Sequence, residues 1–444
     1  MSRLFGTDGV RGVAGKELTS ELAMNIGKAL GYILNRTNSN NVVLIGSDTR
    51  VSKDMLVSGI SSGLCSLGID IINVGIISTP AISYLINKYK ANAGVMITAS
   101  HNPYQYNGIK IFDSNGYKLD DNLEDEIQEL INNQDKLIIN NKIGKITNES
   151  KAIDEYIEHL IKIKTEDYSN LKVCIDTSNG SASVSAPILF SKLGCKYEII
   201  NKDYDGFNIN KDCGSTHIEI LQEYIKKKKF DLGIAFDGDA DRCMLVDNEG
   251  NVRDGDYILA LTSKYLKDKN ILSKNTVVGT VMSNLGFIKY CDSNNINFIS
   301  TKVGDRYVLE EMLLNSYNLG GEQSGHIIFK DYANTGDGQL TAIMIMNIIS
   351  YYHKSLKELS EIMNKYPQVM VNVEISNDKK NEFYTNSKIQ EEIHKLEATL
   401  KDNGRVLVRP SGTEPLIRVM IEGQDKEIIT KYANSLADYI KDNL

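Results

Sequence analysis

Residues 231–242, Asp-Leu-Gly-Ile-Ala-Phe-Asp-Gly-Asp-Ala-Asp-Arg, join a short apolar run to an acidic turn. The apolar part, 231–236, has the length and composition of a buried β-strand. Strands that alternate with helices predict βαβ units in several α/β domains, and their ligands gather beyond the carboxyl ends of the strands. Similar apolar runs lie at 41–46, 69–74, 93–98, 172–176 and 276–279, and the helices predicted after two of them lie at 51–67 and 182–193.

The chain is long enough to need several hydrophobic cores. At 444 residues it exceeds the size at which a single core stops growing. Three successive α/β domains are expected at 1–151, 152–254 and 255–367, and a long amphipathic helix at 338–364 is predicted near the end of the third. Residues 368–444 predict a smaller α+β domain with the order strand, helix, strand, helix.

Composition and charge are those of an ordinary soluble globular protein. Hydrophobic residues make up 41% and charged residues 24% of the chain. The formal net charge of −8 argues against a nucleic-acid partner, and the basic run 226–229 is interpreted as the solvated face of a helix. Six cysteines without a Cys-x-x-Cys pair predict reduced thiols, and no apolar stretch resembles a signal core or reaches about 18 residues. We therefore expect a cytoplasmic protein that neither spans a membrane nor binds nucleic acid.

A serine follows the strand predicted at 93–98, within Thr98-Ala-Ser-His-Asn-Pro-Tyr-Gln-Tyr-Asn-Gly-Ile-Lys-Ile-Phe112. An Asn-Pro pair ends its turn, so Ser100 is expected to be exposed and held in one direction. Three interpretations are open: a turn or N-cap serine, a Ser100–His101 hydrolase pair, and a phosphoryl carrier. The hydrolase pair lacks a Gly-x-Ser-x-Gly elbow. A phosphoserine would add nearly two negative charges, which Lys110 and His101 on the same segment could partly offset.

Three acids alternate after the strand at 231–236, as Asp237, Asp239 and Asp241. Carboxylates this close repel one another unless a cation lies between them, and oxygen ligands favour Mg²⁺ or Ca²⁺. An EF-hand is excluded, because arginine and asparagine stand where its loop needs glycine and glutamate. A phosphoserine oxygen could complete the metal ligands, and Arg242 could neutralise phosphoryl charge. A turn of solvated aspartates is the alternative.

A glycine-rich stretch at 320–326, Gly-Gly-Glu-Gln-Ser-Gly-His, carries groups that suit a neutral polyol. Glu322 and Ser324 can bond sugar hydroxyl groups, and His326 can bond or exchange a proton. The alternative is an ordinary glycine turn.

A second polar stretch at 409–415, Arg-Pro-Ser-Gly-Thr-Glu-Pro, suits a phosphate group. An arginine can grip phosphate bidentately, while hydroxyl groups and a glycine amide complete an anion nest. A tight structural turn is the alternative. The candidate ligands are Arg409, Ser411, Gly412, Thr413 and Arg418.

Near the start of the chain, Phe5-Gly-Thr-Asp-Gly-Val-Arg-Gly12 places Arg11 in a glycine-rich turn. A plain N-terminal loop is one interpretation. Given the other motifs, a second cation for a reacting phosphoryl group is the interpretation we favour.

These five motifs, in this order, resemble the α-D-phosphohexomutase superfamily over essentially the whole chain. The resemblance implies four domains around a central cleft, three similar α/β domains with mixed sheets and a smaller α+β C-terminal domain, each supplying one loop. Loop 320–326 would meet the sugar and loop 409–418 the distal phosphate. The resemblance also implies that one Mg²⁺ per chain is held by phosphorylated Ser100, Asp237, Asp239 and Asp241.

Three features resemble the branch of this superfamily that acts on glucosamine phosphates. They are Gln323, the stretch Val-Gly-Asp-Arg-Tyr at 303–307, and Val-Met-Ser-Asn-Leu-Gly at 281–286. Members that act on glucose or mannose phosphates more often carry methionine where Gln323 stands. Two positions depart from the usual pattern, Ala240 in place of a frequent glycine and Thr98 in place of a usual serine, and neither alters the expected chemistry.

The resemblance implies a mutase, an isomerase that interconverts glucosamine 6-phosphate and glucosamine 1-phosphate through phospho-Ser100 and a bound glucosamine 1,6-bisphosphate. Its product would feed UDP-N-acetylglucosamine and peptidoglycan precursor synthesis, and the enzyme would be a monomer or homodimer. The alternative within the superfamily is a phosphomannomutase or phosphoglucomutase; the rivals outside it are a phosphatase and a catalytically silent sugar-phosphate sensor. Lys110 and His101 are the candidates for general acid and base, in either order. The catalytic residues predicted are Ser100, His101, Lys110, Arg11 and Arg242.

Overall fold

A computed structural model describes residues 3–6, 8–36, 41–133, 142–376, 378–411 and 415–444. The chain divides into two structural units. The first comprises residues 1–282 and 295–362, and the second comprises residues 283–294 and 363–444. Within the described ranges, no helix has both the length and the apolar character needed to cross a membrane.

The first sheet is a mixed sheet of six strands. Its strands are β1 (Val10–Val13), β2 (Val42–Ser47), β3 (Asp70–Ile76), β4 (Ala93–Ile97), β5 (Tyr106–Phe112) and β6 (Ile146–Asn148). The order is β1-β5-β4-β2-β3-β6, and only the pairs that include β5 are antiparallel. Strand β4 is buried along its whole length, which explains its unbroken apolar sequence. The accompanying helices are α1 (Ser20–Asn35), α2 (Lys53–Ser66), α3 (Thr79–Tyr89) and α4 (Asp121–Asn132).

The second sheet has five strands and is again mixed. Its helices are α5 (Ala152–Ile161), α6 (Ala182–Leu193) and α7 (Glu219–Lys228). Its strands are β7 (Lys172–Asp176), β8 (Lys196–Ile200), β9 (Leu232–Phe236), β10 (Cys243–Asp247) and β11 (Val252–Arg253). The order is β11-β10-β9-β7-β8, with β7, β8 and β9 parallel. Strand β9 is fully buried, so its polar residues begin only where the strand ends.

The third sheet has four strands, which are β12 (Thr276–Thr280), β13 (Asn297–Thr301), β14 (Leu319–Gly321) and β15 (Ile327–Phe329). Their order is β13-β12-β14-β15. Strands β12, β13 and β14 are parallel and β15 is antiparallel, so this sheet is mixed as well. Its neighbours in the sequence are α8 (Gly255–Asp268), α9 (Leu285–Ser293), α10 (Asp305–Asn315), α11 (Gly338–Tyr352) and α12 (Leu356–Ser360). Helix α9 belongs to the second unit.

The prediction of one amphipathic helix over 338–364 is wrong. Helix α11 is buried around most of its surface, and it ends at Tyr352, directly before His353, whose backbone is left-handed with φ of 52°. A capping box at Ser355 and Glu358 then starts α12. A left-handed residue cannot continue a right-handed helix, and the serine cap satisfies the amide groups of the new one.

The second unit contains a three-stranded antiparallel sheet in the order β16-β18-β17, formed by β16 (Gln368–Glu374), β17 (Gly404–Pro410) and β18 (Leu416–Gly423). Its other helices are α13 (Lys379–Thr385), α14 (Ser387–Leu400) and α15 (Lys426–Asn443). The predicted order of strand, helix, strand, helix missed one helix and one strand. Strands β17 and β18 form an antiparallel hairpin, where one strand and a loop at 409–418 are predicted.

An ion pair inside the second unit leads to a stability prediction. Glu422 in β18 is completely buried, and its carboxylate lies 2.7 Å from Arg405 Nη2 in β17. Replacing Arg405 with alanine leaves a buried carboxylate without its cation, so we expect a loss of about 3 kcal/mol of stability. Urea unfolding followed by circular dichroism measures the loss. In Lys395→Ala, which removes an exposed pair with Glu392, the loss should stay below about 1 kcal/mol, and equal losses would contradict the prediction.

Candidate active site

Ser100 lies in the turn that follows β4, and its side chain is directed at the acidic turn after β9. Its hydroxyl group donates a hydrogen bond to Asp237 Oδ2 at 2.6 Å. The residue is only 1% exposed, so the expectation of an exposed serine is wrong. The physical reason is that the turn containing Gly238 covers it: a Cβ atom at Gly238 would lie 2.6 Å from the Ser100 carbonyl oxygen. Only a residue without a side chain permits this approach.

Asp237, Asp239 and Asp241 form a tight acidic cluster. One carboxylate oxygen of each lies within 4.8 Å of the others, and the residues are 0%, 0% and 5% exposed. The alternative of a solvated turn therefore does not hold. Burial raises the pKa of Asp237 well above its usual value, and the charges of Asp241 and Asp239 raise it further. Among the described residues, Asp239 Oδ1 and Asp241 Oδ1 have no hydrogen-bond partner. Buried carboxylate oxygens without a hydrogen bond suit a metal ion.

Lys110 in β5 supplies positive charge to this cluster. Its ammonium group lies 2.9 Å from Asp239 Oδ2 and 3.5 Å from Asp241 Oδ2. On the other side it lies 2.9 Å from Asp8 Oδ2. Burial alone would lower the pKa of Lys110, but these carboxylates outweigh it and hold that pKa well above the usual value. Lys110 is therefore a buried cation beside the acidic cluster.

Two arginines add to the positive charge around Ser100. Arg242 Nη1 lies 3.2 Å from His101 Nδ1, and Arg11 forms an ion pair with Asp8. The buried Nε atoms of both arginines have no hydrogen-bond partner in the described part of the chain. Such donors are suited to an incoming phosphoryl oxygen.

His101 is placed beside the serine but does not add charge. Its Nδ1 lies 3.4 Å from Ser100 Oγ. Burial lowers the pKa of His101 to about 4, and the nearby guanidinium groups of Arg242 and Arg11 contribute to the decrease. Because a guanidinium group can only donate, His101 Nδ1 accepts from Arg242. In this structure the ring is neutral, unlike the partial cation that its sequence position suggested.

Sequence reasoning missed three charged residues that extend the site. Lys118 Nζ lies 2.5 Å from Asp8 Oδ1 and 2.5 Å from Asp305 Oδ2, so it joins these two carboxylates. Asp8 lies within the glycine-rich stretch that drew attention to Arg11, and Asp305 lies within the stretch at 303–307. Lys118 follows a turn and carries no motif, so only the fold identifies it.

The loop at 320–326 is anchored directly beside the acidic turn. The amide of Cys243 donates to the Gly325 carbonyl at 3.0 Å, and the amide of Gly304 donates to Glu322 Oε1 at 3.1 Å. His326 Nδ1 lies 3.6 Å from Asp241 Oδ2. Ser324 is the exposed residue of this loop. The fold thus brings together Ser100, the aspartates and the sugar loop that the sequence predicted.

The phosphate motif of the second unit spans a hairpin. Arg409 in β17 and Arg418 in β18 are directly paired across the sheet, so their side chains share one face. Burial lowers the pKa of Arg409, and the charge of Arg418 lowers it further. Two cations at paired positions favour a bound anion. Ser411 follows β17 and donates its amide to the Leu416 carbonyl at 2.8 Å, whereas Gly412 and Thr413 lie outside the described residues.

Four family models match successive parts of the chain. They describe phosphoglucomutase/phosphomannomutase alpha/beta/alpha domains I, II and III and the C-terminal domain. The matched residues are 2–137, 154–250, 254–366 and 370–439.

Solved structures share the fold at low sequence identity. A phosphoglucomutase/phosphomannomutase family protein from Burkholderia thailandensis has a TM-score of 0.82 and 23% identity, over 99% of this chain and 98% of its own. N-acetylphosphoglucosamine mutase from Aspergillus fumigatus, solved with GlcNAc-6P and magnesium, has a TM-score of 0.70 and 16% identity, over 99% and 96%. At these identities the likeness shows the fold.

Relatives in sequence are much more similar. Phosphoglucosamine mutase from Clostridium acetobutylicum is 51% identical over 444 residues, covering 99% of both chains. Its counterpart from Clostridium novyi is 51% identical over 446 residues, covering 100% of this chain and 99% of the relative. With all four domains matched and half of the residues identical from end to end, the chain belongs to the phosphoglucosamine mutase family, within the α-D-phosphohexomutase superfamily.

Proposed function

We propose that this protein interconverts glucosamine 6-phosphate and glucosamine 1-phosphate by way of a phosphorylated Ser100. The observation that carries the proposal is the contact of Ser100 Oγ with Asp237 at 2.6 Å, at the edge of a buried carboxylate cluster. Family membership supports the choice of an amino sugar over glucose or mannose. The product would enter UDP-N-acetylglucosamine and peptidoglycan precursor synthesis in the cytoplasm, in line with six free cysteine thiols.

Magnesium fits the acidic cluster. Three carboxylates and a phosphate on Ser100 would form an oxygen-only ligand set, and two carboxylate oxygens there have no hydrogen-bond partner among the described residues. When bound, Mg²⁺ would act as a Lewis acid on the phosphoryl oxygens. Lys110, Arg242 and Arg11 would offset the remaining charge of the phosphoryl group.

In the first half of the reaction, phospho-Ser100 gives its phosphoryl group to O1 of glucosamine 6-phosphate. The bond from phosphorus to Ser100 Oγ breaks and the bond from phosphorus to O1 forms, which gives glucosamine 1,6-bisphosphate. The O1 hydroxyl group gives its proton to the general base, and Ser100 Oγ gains a proton from the general acid. Lys110 and His101 are the proposed proton-transfer residues, in either order, and His101 Nδ1 lies 3.4 Å from Ser100 Oγ.

In the second half, the bisphosphate turns end for end and presents its 6-phosphate to Ser100. The bond from phosphorus to O6 breaks as the bond from phosphorus to Ser100 Oγ forms. The serine hydroxyl group loses its proton, O6 gains one, and glucosamine 1-phosphate leaves. Glu322, Ser324 and His326 would hold the sugar in both orientations. The phosphate that is not reacting would bind the hairpin group Arg409, Ser411, Gly412, Thr413 and Arg418, where the two paired arginines support an anion site.

Removing the acceptor hydroxyl group tests the proposal directly. In Ser100→Ala no phosphoenzyme can form, so we expect turnover to fall by at least about a thousandfold while the chain stays folded. The assay follows glucosamine 1-phosphate formation after priming with glucose 1,6-bisphosphate. Ser263→Ala is the matched control, since Ser263 is also buried and its hydroxyl group donates within its own helix, to the Ala260 carbonyl. Near wild-type rates in Ser100→Ala would refute the carrier role.

Metal removal tests the acidic cluster. Dialysis against EDTA should abolish turnover, and Mg²⁺ should restore it. Because a bound cation relieves the repulsion among three buried carboxylates, Mg²⁺ should also raise the unfolding temperature, by an increment worth about 2.7 kcal/mol at a hundredfold excess over the dissociation constant. Asp239→Asn should lose most of this shift, and Asp203→Asn, at an exposed position, should retain it. An equal shift in both variants would place the metal elsewhere.

A substrate panel tests the sugar and the reaction type. The wild-type chain should isomerise glucosamine 6-phosphate at least about tenfold more efficiently than glucose or mannose 6-phosphate, with little inorganic phosphate released. A preference for either neutral hexose would favour the phosphoglucomutase or phosphomannomutase alternative. Stoichiometric release of phosphate would instead indicate a phosphatase.

A further inference from the structure

The turn that carries Ser100 is wrapped around a buried guanidinium group. Arg50, in the turn after β2, is 0% exposed, and its Nε lies 2.9 Å from Asp48 Oδ2. Among the described residues, the other hydrogen bonds of its guanidinium group go to the main chain of the serine turn. Nη1 and Nη2 donate, at 2.6 to 3.0 Å, to the carbonyl oxygens of Ser100, Asn102, Pro103 and Tyr106.

A second side chain, from the segment between β8 and α7, donates to two of the same carbonyl groups. Asn210 Nδ2 lies 2.9 Å from the Ser100 oxygen and 3.1 Å from the Asn102 oxygen. Asn210 is 6% exposed, and its own amide donates to the Ser178 carbonyl at 2.9 Å, so the asparagine is itself fixed. Arg50 and Asn210 therefore hold the Ser100 carbonyl from two different parts of the fold.

The amide side of Ser100 is tied to the same network. The Ser100 amide donates to Thr98 Oγ1 at 3.0 Å, and the Thr98 hydroxyl group donates to Asp48 Oδ2 at 2.6 Å. That carboxylate oxygen is the one that accepts from Arg50 Nε. Both ends of the Ser100 residue are thus linked through Asp48 and Arg50.

Ser100 needs this support because its backbone is left-handed, with φ of 51°. For a residue with a Cβ atom this conformation costs roughly 1–2 kcal/mol, so the turn would relax if its hydrogen bonds were removed. The conformation is what directs Oγ at Asp237.

We propose that Arg50 and Asn210 are positioning residues for phosphoryl transfer, which fix the Ser100 main chain so that Oγ keeps its place at Asp237 with and without its phosphate. This rests on the proposed function. The serine gains and loses nearly two charges in each cycle, and a displacement of about 1 Å costs on the order of a hundredfold in rate. Among the described residues, neither Arg50 nor Asn210 forms a hydrogen bond with Ser100 Oγ; both act through main-chain oxygens, which do not change during the reaction.

Asn210→Ala is the first test. The variant removes two hydrogen bonds from the serine turn and no group that touches substrate. We expect kcat to fall about 10- to 100-fold with KM changed less than about threefold, because the loss affects alignment rather than sugar binding. The single-turnover rate of phosphoryl transfer from phosphorylated enzyme to glucosamine 6-phosphate should fall by the same factor.

Asn347→Ala is the matched control. Asn347 is 1% exposed, and its Nδ2 donates to the Ile163 carbonyl at 2.9 Å, while its Oδ1 accepts from the Tyr168 hydroxyl group at 2.6 Å and from the Thr165 amide at 2.9 Å. The variant therefore loses buried hydrogen bonds away from Ser100, and it should lower the unfolding temperature at least as much as Asn210→Ala does and leave kcat within about twofold. If Asn210→Ala keeps its kcat, or if the control loses as much, the positioning role is overturned.

Arg50→Lys keeps the charge but cannot reach four carbonyl groups at once, so its kcat should fall further than that of Asn210→Ala, again with little change in KM. Should this variant fail to fold, Asn210→Ala still decides the question.

The turnover of the wild-type chain distinguishes a failure of the proposed function from a failure of the positioning role. Absence of mutase turnover in the wild type contradicts the proposed function, whereas an unchanged kcat in Asn210→Ala contradicts only the positioning role.

Discussion

The structure depends on one electrostatic constraint, the burial of three carboxylates within 4.8 Å of one another. Like charges this close cannot all remain ionised inside a protein without cations beside them. Lys110 supplies one cation from the first sheet, while Asp239 and Asp241 follow β9 of the second sheet. The carboxyl end of β9 must therefore meet β5. The same constraint that attracts a metal also brings two sheets of the first unit together.

A second set of ion pairs connects the first sheet to the third sheet. Lys118 joins Asp8 to Asp305, and Asp305 begins α10 beside that sheet. Burial alone would lower the pKa of Lys118, but the two carboxylates outweigh it and raise that pKa above the usual value. Removing any member of such a chain leaves a buried charge unpaired, which costs more than an exposed ion pair contributes. Within the first unit, the charged residues of the proposed active site therefore also hold its sheets together.

Much of the fold and of the site could be predicted from local patterns. The apolar runs at 93–98 and 231–236 became β4 and β9, because a fully buried strand needs an unbroken apolar sequence. Ser100 and the aspartates were found because polar residues directly after such strands have few structural reasons to be there. The mixed α/β architecture with a smaller C-terminal domain is confirmed, whereas the domain boundaries stay a prediction.

What escaped prediction depends on contacts between distant segments. The burial of Ser100 results from the close approach of Gly238, and no residue near position 100 in the sequence predicts this approach. Lys118 could not be predicted as a site residue, because its two carboxylate partners come from distant segments of the chain. The end of α11 directly before His353 is set by this left-handed residue, which no strong helix-stop signal marks. Sequence patterns report periodicity and local chemistry, and they do not report which polar groups a fold will bury together.

A phosphoryl carrier sets an unusual requirement for its own support. A side chain whose charge alternates cannot be held by contacts to that side chain alone, because each charge state would favour a different geometry. Main-chain carbonyl groups have the same hydrogen-bonding capacity in both states. Arg50 and Asn210 bind Ser100 through such a group and leave Oγ to the acidic cluster. Because the Ser100 carbonyl group is held while Oγ reacts, the same turn can serve both half-reactions without rearrangement.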